Sequence, residues 1–412
     1  MAAETRFLFA GGGSGGHLFP GLAVAEELRR ADAHCRIEFI ATDRPADRAI
    51  FGTRPSEQVT HLSVESTAAL RRRPWAWLTA NWKAYRRCCR LLTASRPNCL
   101  IGLGGFASVP AVIAARRLGI PIVLMEQNVL PGRATRWLAR LADQVCLSDP
   151  QTREFLPHAA VTVVTGNPVR PEFPRTASNR ALDEPIRFGE ESETLLVLGG
   201  SLGARELKEG VPLAAAGLPE SLRNRIRVIH QTGADRTASV ERAYTDLGID
   251  HQVTPFIDNL ASLAESATLV VSRAGGSILA ELACVGAATL LVPYPQAADN
   301  HQWHNARPFV AADAARLVDQ GNDIRKFAAD LQTELTELLS TPHLLLEMRA
   351  AMYGLARPNA AADVAHVIRQ TASGLPVVEP AARVHTAERV SPSHFDIERR
   401  AIPGIGQRDG NS

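Results

Sequence analysis

The chain has 412 residues, 45% of them hydrophobic and 21% charged, which is ordinary globular composition and excludes a fibrous or largely disordered protein. Its six cysteines form no Cys-x-x-Cys pair, which excludes a zinc ribbon and a dithiol redox motif. The net charge of +2 is unevenly distributed, because residues 1–160 carry 21 Lys and Arg against 13 Asp and Glu. A basic first half indicates an anionic partner: a phosphate ligand, a nucleic acid or an acidic membrane surface.

Units of apolar strand, glycine-rich turn and helical pattern recur at residues 6–30, 98–119, 194–216 and 267–286. Such alternation predicts βαβ units and a doubly wound parallel sheet. In the first unit we expect the helix to follow Pro20, since proline is tolerated near a helix start. The uncharged stretch 98–115 just reaches the length of a membrane span, but its glycines and proline favour strand, turn and helix.

A polar, proline-bearing stretch at 171–194 interrupts these units and predicts an inter-domain linker. A strand, glycine loop and helix begin again after it, so two doubly wound halves fit better than one long sheet. Long helical patterns at 325–341 and 343–370 close the second half. Residues 371–412 are proline-punctuated and aperiodic, which predicts a disordered tail.

The first glycine loop, GGGSGGH at 11–17, has the form of a dinucleotide fingerprint, which places backbone N–H groups near a phosphate. A nicotinamide-dependent enzyme would also need an acid about twenty residues on, and Glu38 or Asp43 could serve. A βα turn without a ligand is the plainer alternative. His17 directly follows the glycines, where an imidazole could act as a general base.

The second half repeats this chemistry. The loop GGSLGAR at 199–205 offers another anion cradle with the hydroxyl of Ser201. In SRAGGSILAE at 272–281, Glu281 is placed to bind both hydroxyls of a ribose, with a solvent-facing glutamate as the alternative. The amide-rich stretch 292–306 suits sugar hydroxyls. The sequence contains no Asp-x-Asp pair, and we expect neither a metal ion nor a cofactor.

Residues 69–92 interleave three tryptophans and a tyrosine with seven basic residues. Indole rings prefer the headgroup layer of a bilayer, and basic side chains are attracted to anionic lipids. The segment therefore indicates a membrane-docking surface. A helix with a solvated basic face and an RNA-binding surface remain the alternatives.

Together these motifs, in this order from about residue 6 to 370, resemble the MurG family of glycosyltransferases (glycosyltransferase family 28), which make lipid II of bacterial peptidoglycan. The resemblance rests on GGGSGGHLFPGLAVA, GLGGFASVPAVIAA, MEQNVLPGRATRWLA, TGNPVR, LVLGGSLGAR, PFIDNLASL, SRAGGSILAE and DNHQWHNA. It implies an α/β GT-B fold, in which two Rossmann-like doubly wound domains face each other across a cleft. Residues 1–170, completed by a helix at about 345–370, would form one domain, and residues 195–344 the other.

The resemblance also implies the reaction: N-acetylglucosamine passes from UDP-N-acetylglucosamine to lipid I in an inverting β-1,4 transfer. Partners would be these two substrates and the anionic cytoplasmic face of the inner membrane, on which the protein would sit peripherally, with no nucleic acid. His17 and Glu126 are the candidate bases. The expected substrate contacts are Ser14, Gly15, Gly16, Asn128, Arg170, Ser201, Ile257, Gly276, Ser277, Ile278, Leu279, Ala280, Glu281 and Gln302.

The sequence departs from common family forms at three places. Ser14 stands where threonine is usual, and His301 precedes Gln302 where some members have a second glutamine; the tail past residue 375 has no counterpart. Three rival interpretations are a sugar transferase acting on a lipid alcohol such as diacylglycerol, a nicotinamide-dependent oxidoreductase, and a nucleotide-sugar-binding protein without turnover.

Overall fold

The computed structural model describes residues 4–13, 15–65, 74–157, 160–173, 193–199, 204–233 and 237–377. Ser14, Ser201, most of the expected linker and the tail from residue 378 onward lie outside the described residues. Two parallel sheets organise the chain, one of seven strands and one of six. This architecture confirms the predicted fold class of two doubly wound α/β domains.

The N-terminal sheet has the strand order β3-β2-β1-β4-β5-β6-β7. Its strands are β1 Arg6–Ala10, β2 Arg36–Thr42, β3 Gln58–Leu62, β4 Cys99–Gly102, β5 Ile122–Glu126, β6 Gln144–Leu147 and β7 Thr162–Val164. Its helices are α1 Gly15–Ala31, α2 Pro45–Gly52, α3 Pro74–Ser95, α4 Val109–Leu118 and α5 Arg133–Leu138. Strands β1, β4 and β5 are almost wholly buried, as expected for parallel strands covered on both faces.

The C-terminal sheet has the order β10-β9-β8-β11-β12-β13. Its strands are β8 Glu193–Leu198, β9 Ile226–Gln231, β10 Asp250–Thr254, β11 Leu269–Ser272, β12 Thr289–Leu291 and β13 Ala315–Leu317. Its helices are α6 Arg205–Ala216, α7 Glu220–Arg223, α8 Thr237–Asp246, α9 Leu260–Ser266, α10 Gly276–Cys284, α11 His301–Ala311 and α12 Ile324–Ser340.

Two further helices, α13 Pro342–Gly354 and α14 Ala360–Ala372, replace the single helical pattern expected at 343–370. Helix α13 packs on α10 and α12 of the second domain, whereas α14 packs on α1 and on β4, β5 and β6 of the first. The chain turns between them at Arg357-Pro358, because proline disfavours helical backbone at the preceding residue. The return to the first domain therefore begins near residue 355, later than expected.

Helix α1 begins at Gly15, so the expectation of a helix start after Pro20 is wrong. Pro20 lies within the helix and has no N–H to donate to the carbonyl of Gly16 four residues earlier. The hydroxyl of Ser277, from the other domain, donates to that carbonyl at 2.8 Å. The carbonyl that Pro20 leaves unpaired in α1 thus receives its hydrogen bond from the facing domain.

Strand order reverses between β1 and β4 in the first sheet and between β8 and β11 in the second. Ligands of doubly wound sheets bind beyond the carboxyl ends of the strands at such reversals. The loops after these strands carry most of the motifs identified from the sequence. Among the helices of the described ranges, none combines the length and the apolar character that crossing a bilayer requires.

Candidate functional site

A cavity of about 580 Å³ lies between the two domains and is lined by both. Most of the site residues expected from the sequence line it: Gly15, Gly16, His17, Asn128, Arg170, Ile257, Gly276, Ser277, Ile278, Glu281 and Gln302. Glu126, Leu279 and Ala280 are not among its lining residues, and Leu279 is only 1% exposed in the core. The structure therefore brings both halves of the expected site to one cleft.

His17 is held by Gln127, whose side chain comes from the loop after β5. The imidazole Nδ1 lies 2.9 Å from Gln127 Oε1. The turn after β4 also lies close to the ring, and a Cβ added at Gly104 would lie 3.2 Å from Nδ1. Gly104 has φ +90°, a conformation that favours glycine, so this close approach depends on the missing side chain.

The first glycine loop is held from behind by a buried carboxylate. Both oxygens of Asp47 lie 2.9 Å from the N–H of Gly13, and one also accepts from the N–H of Thr42 at 3.0 Å. Asp47 is fully buried. The Gly13 N–H is already used in these hydrogen bonds. The part of the loop that could bind a ligand is therefore the N-terminus of helix α1, at Gly15 and Gly16.

Glu126, one of the two candidate bases, is committed to its own loop. Its carboxylate accepts hydrogen bonds from the Asn128 N–H at 3.0 Å, the Asn128 side-chain amide at 3.1 Å and the Gly132 N–H at 3.1 Å. The residue is 4% exposed. These contacts fold the loop 126–132, whereas His17 borders the cavity itself.

Asn305 of α11 locks this loop to the second domain. Its side-chain oxygen accepts from the Val129 N–H at 2.9 Å, and its amide donates to Asn128 Oδ1 at 3.0 Å and to the Ala274 carbonyl at 3.1 Å. Asn305 is 2% exposed, so all its polar atoms depend on these partners.

An ion-pair cluster at the surface adds to this contact between the domains. Asp299 lies 2.8 Å from Arg133 and 2.6 Å from Arg136. The Arg133 hydrogen bond, together with the charges of both guanidinium groups, lowers the pKa of the Asp299 carboxyl. Exposed pairs contribute little energy, so the buried amide contacts dominate the interface.

Arg170 and Glu281 form a two-pronged ion pair at the floor of the cavity, with N–O distances of 2.7 and 3.1 Å. Burial alone would lower the pKa of Arg170, but the hydrogen bonds and charge of Glu281 outweigh it and raise that pKa. The guanidinium also lies over the rings of Phe19 and Phe173, at 5.3 and 5.1 Å. Glu281 is therefore not the solvent-facing glutamate of the alternative interpretation.

Arg273 and Gln302 shape the cavity wall around Tyr294. The guanidinium of Arg273 donates to the carbonyls of Val292 and Pro293 at 3.0 and 3.3 Å and lies 5.4 Å from the Tyr294 ring. Gln302 Oε1 accepts from the Tyr294 N–H at 2.9 Å. The hydrogen bond to Tyr294 fixes the position of the Gln302 side chain at the cavity wall.

Sequence reasoning missed four residues of this site: Asp47, Gln127, Arg273 and Asn305. Gln127, Arg273 and Asn305 stand inside the motifs MEQNVLPGRATRWLA, SRAGGSILAE and DNHQWHNA, so neighbouring candidate residues were a signal for them. Arg273 directly follows a buried strand, as catalytic and binding residues often do. Asp47 lies in a helix with no motif of its own, and nothing in the sequence links it to the glycine loop.

Comparison with protein families shows which family this chain belongs to. The glycosyltransferase family 28 N-terminal domain matches residues 7–147, and the family 28 C-terminal domain matches residues 194–366. The chain belongs to glycosyltransferase family 28. Membership confirms the resemblance, the GT-B fold and the transferase class inferred from the sequence.

Individual members of family 28 match over nearly their full length. A Hahella chejuensis protein named UDP-N-acetylglucosamine–N-acetylmuramyl-(pentapeptide) pyrophosphoryl-undecaprenol N-acetylglucosamine transferase is 38% identical, covering 88% of this chain and 97% of the relative. A Chelativorans protein of the same name is 35% identical, covering 92% and 98%. The crystal structure of Acinetobacter baumannii MurG superposes with a TM-score of 0.68 at 29% identity, covering 89% of this chain and 99% of that one.

The buried amide contacts predict that Asn305→Asp weakens the closed arrangement of the domains. A carboxylate there faces Asn128 Oδ1 and the Ala274 carbonyl, two acceptors, and unpaired buried polar groups cost about 1–3 kcal/mol each. Small-angle X-ray scattering should show a larger radius of gyration than the parent. The matched control is Asn259→Asp, the same change at an exposed position of the same domain. An unchanged radius in Asn305→Asp contradicts the prediction.

Proposed function

We propose that this chain transfers N-acetylglucosamine from UDP-N-acetylglucosamine to lipid I, the undecaprenyl-pyrophosphoryl-MurNAc-pentapeptide, and so forms lipid II. The observation that carries the proposal is the full-length match to relatives named for this reaction, together with a cleft in which His17 and Glu281 border one cavity. The deciding experiment is turnover of UDP-N-acetylglucosamine with lipid I as acceptor, and with diacylglycerol as the rival acceptor. Transfer to diacylglycerol alone overturns the proposal.

In the proposed arrangement the second domain holds the donor. Glu281 binds the ribose hydroxyls, and Ile257 and Gln302 contact the donor. Ser201, outside the described residues, is the expected contact of the diphosphate. The N-terminus of α10 at Gly276 supplies N–H groups and the positive end of a helix dipole for the leaving UDP. The acceptor enters from the first domain, near Gly15 and Gly16.

We assign the base to His17 rather than Glu126. In a single displacement with inversion, the acceptor hydroxyl attacks the anomeric carbon, its proton passes to the base, and the bond to the UDP oxygen breaks. His17 borders the cavity, and its Nε2 makes no hydrogen bond to the residues that the structure describes. The Glu126 carboxylate instead accepts three N–H groups of its own loop, which leaves it a positioning role.

Replacing the base gives the first functional prediction. His17→Ala should lower turnover by about 10²–10⁴-fold, the usual contribution of general base catalysis, and remove the acidic limb of the pH profile. UDP affinity should barely change, because UDP lies mainly on the other domain. Added imidazole should restore part of the turnover of His17→Ala but not of Glu126→Gln. Full turnover in His17→Ala rejects the assignment.

The ion pair generates a prediction for the donor. Glu281→Gln keeps the shape but loses charge-assisted hydrogen bonds worth roughly 1.5–3 kcal/mol, so UDP should bind about ten- to a hundred-fold more weakly. The control is Glu193→Gln, because Glu193 is also a buried partner of an arginine, Arg225, in the same domain but outside the cavity lining. Calorimetry should show normal UDP affinity in the control. If Glu281→Gln binds UDP as tightly as Glu193→Gln does, Glu281 is not part of the donor site.

We propose further that helix α3 docks on the anionic cytoplasmic leaflet of the inner membrane. Trp75, Leu78 and Trp82 follow at i, i+3 and i+7 on one face and are 78%, 52% and 55% exposed. Exposed basic residues accompany them: Lys83, Arg86, Arg87 and Arg90. The opposite face, with Cys88 and Leu92, packs on the domain. Arg71, Arg72 and Arg73 precede the helix outside the described residues.

Vesicle binding separates the two parts of this surface. Arg87→Gln with Arg90→Gln should weaken binding to phosphatidylglycerol vesicles by about 2 kcal/mol, roughly thirtyfold, and added salt should have the same effect by screening. Trp75→Ala with Trp82→Ala should weaken binding to phosphatidylcholine vesicles as well, since that loss is apolar. Trp137→Ala, at a residue 50% exposed elsewhere, is the control. If both variants bind vesicles as the parent does, the proposal is wrong and the exposed side of α3 is only a solvated basic face.

A further inference from the structure

The amide of Gln127 has only one orientation that its surroundings accept. Its nitrogen lies 3.2 Å from the Leu103 carbonyl oxygen and 3.5 Å from the Met125 carbonyl oxygen. The opposite orientation would set the side-chain oxygen against two other oxygens. Gln127 is 4% exposed, so water does not compensate such a clash. The amide oxygen therefore faces His17.

This orientation determines which nitrogen of His17 carries the proton. A carbonyl oxygen can only accept a hydrogen bond, and Gln127 Oε1 lies 2.9 Å from Nδ1. Nδ1 must therefore be the donor, which leaves the lone pair of the neutral imidazole on Nε2. We infer that Gln127 is a positioning residue that selects the Nδ1–H tautomer of His17 and so directs the basic nitrogen toward the acceptor hydroxyl.

The support for Gln127 is rigid, which is what a positioning residue requires. The carbonyl groups that hold its amide belong to residues at the ends of the paired strands β4 and β5. Leu103 also donates its N–H to the Ala10 carbonyl at 2.9 Å, at the end of β1. The imidazole is thus oriented by a side chain that is anchored to the carboxyl edge of the N-terminal sheet.

An amide differs from a carboxylate at this position in one chemical respect. A carboxylate beside Nδ1–H stabilises the protonated imidazolium, whereas a neutral amide accepts the same hydrogen bond without that charge. Gln127 therefore holds the ring in one tautomer without adding a negative charge that would favour the imidazolium. This inference rests on the proposed base role of His17.

The tautomer itself can be measured. With ¹⁵N-labelled histidine, the ring nitrogen shifts of His17, assigned by their loss in His17→Ala, should show Nδ1–H in the parent protein. Gln127→Met, which has no comparable acceptor, should give a mixture of tautomers. A parent protein with Nε2–H overturns the inference whatever the kinetics show. If His17→Ala keeps full turnover while the parent shows Nδ1–H, the base role fails but the tautomer assignment stands.

Kinetics supply the second readout. Gln127→Met should lower kcat by between about tenfold and the roughly 10⁴-fold that a wrong imidazole tautomer costs in a serine protease, with UDP affinity unchanged. Gln127→Glu should retain more turnover and move the acidic limb of the pH profile to higher pH, because a carboxylate stabilises the imidazolium. Gln320→Met, which removes a buried glutamine outside the cavity lining, controls for the loss of a buried amide. Identical pH profiles in the parent and Gln127→Glu, with normal kcat in Gln127→Met, contradict the inference.

Discussion

The carboxylate of Glu126 is the contact on which the site depends. By accepting from the backbone N–H and the side-chain amide of Asn128 and from the N–H of Gly132, it folds the six residues after β5, 127–132, into one loop. That loop holds His17 through Gln127 and meets the second domain through Asn128 and Val129. A buried carboxylate engaged with several donors is costly to disturb, which explains how one loop can orient His17, the proposed base, and join the domains together.

The two domains approach each other at a glycine, which has no side chain, and at a helical carbonyl that a proline leaves without its usual donor. A Cβ added at Gly276 would lie 2.0 Å from the Gln127 carbonyl oxygen, so the start of α10 reaches the loop only because it is glycine. Pro20 leaves the Gly16 carbonyl unpaired within α1, and Ser277 completes it from the other side. The starts of two helices are thereby brought to one cavity, which neither domain could form alone.

The periodicity of apolar runs and glycine turns was enough to predict both sheets, because each βα turn is a local feature. It was not enough to place the start of α1, since the hydroxyl that compensates Pro20 comes from Ser277, 257 residues farther along the chain. Likewise the motifs identified His17 and Glu281, but not Gln127 or Asp47. Gln127 contacts His17 and Asp47 contacts Gly13 only once the chain has folded, because each pair is far apart in the sequence, and no spacing reveals these contacts.

The charges around the cavity indicate how the diphosphate that departs in the proposed reaction would be stabilised. Each arginine that lines the cavity in the described part of the chain is already paired: Arg170 with Glu281, Arg205 with Glu209 and Arg273 with Glu206. Their positive charge is therefore largely balanced before a ligand arrives. The described first turns of α1 and α10 contain no acidic residue, and the N–H groups there are held by the backbone in fixed directions. Preorganised dipoles of this kind stabilise developing negative charge without reorganisation at the moment of transfer. In the proposed reaction the helix starts, rather than the arginines, are therefore the groups best placed to favour release of UDP.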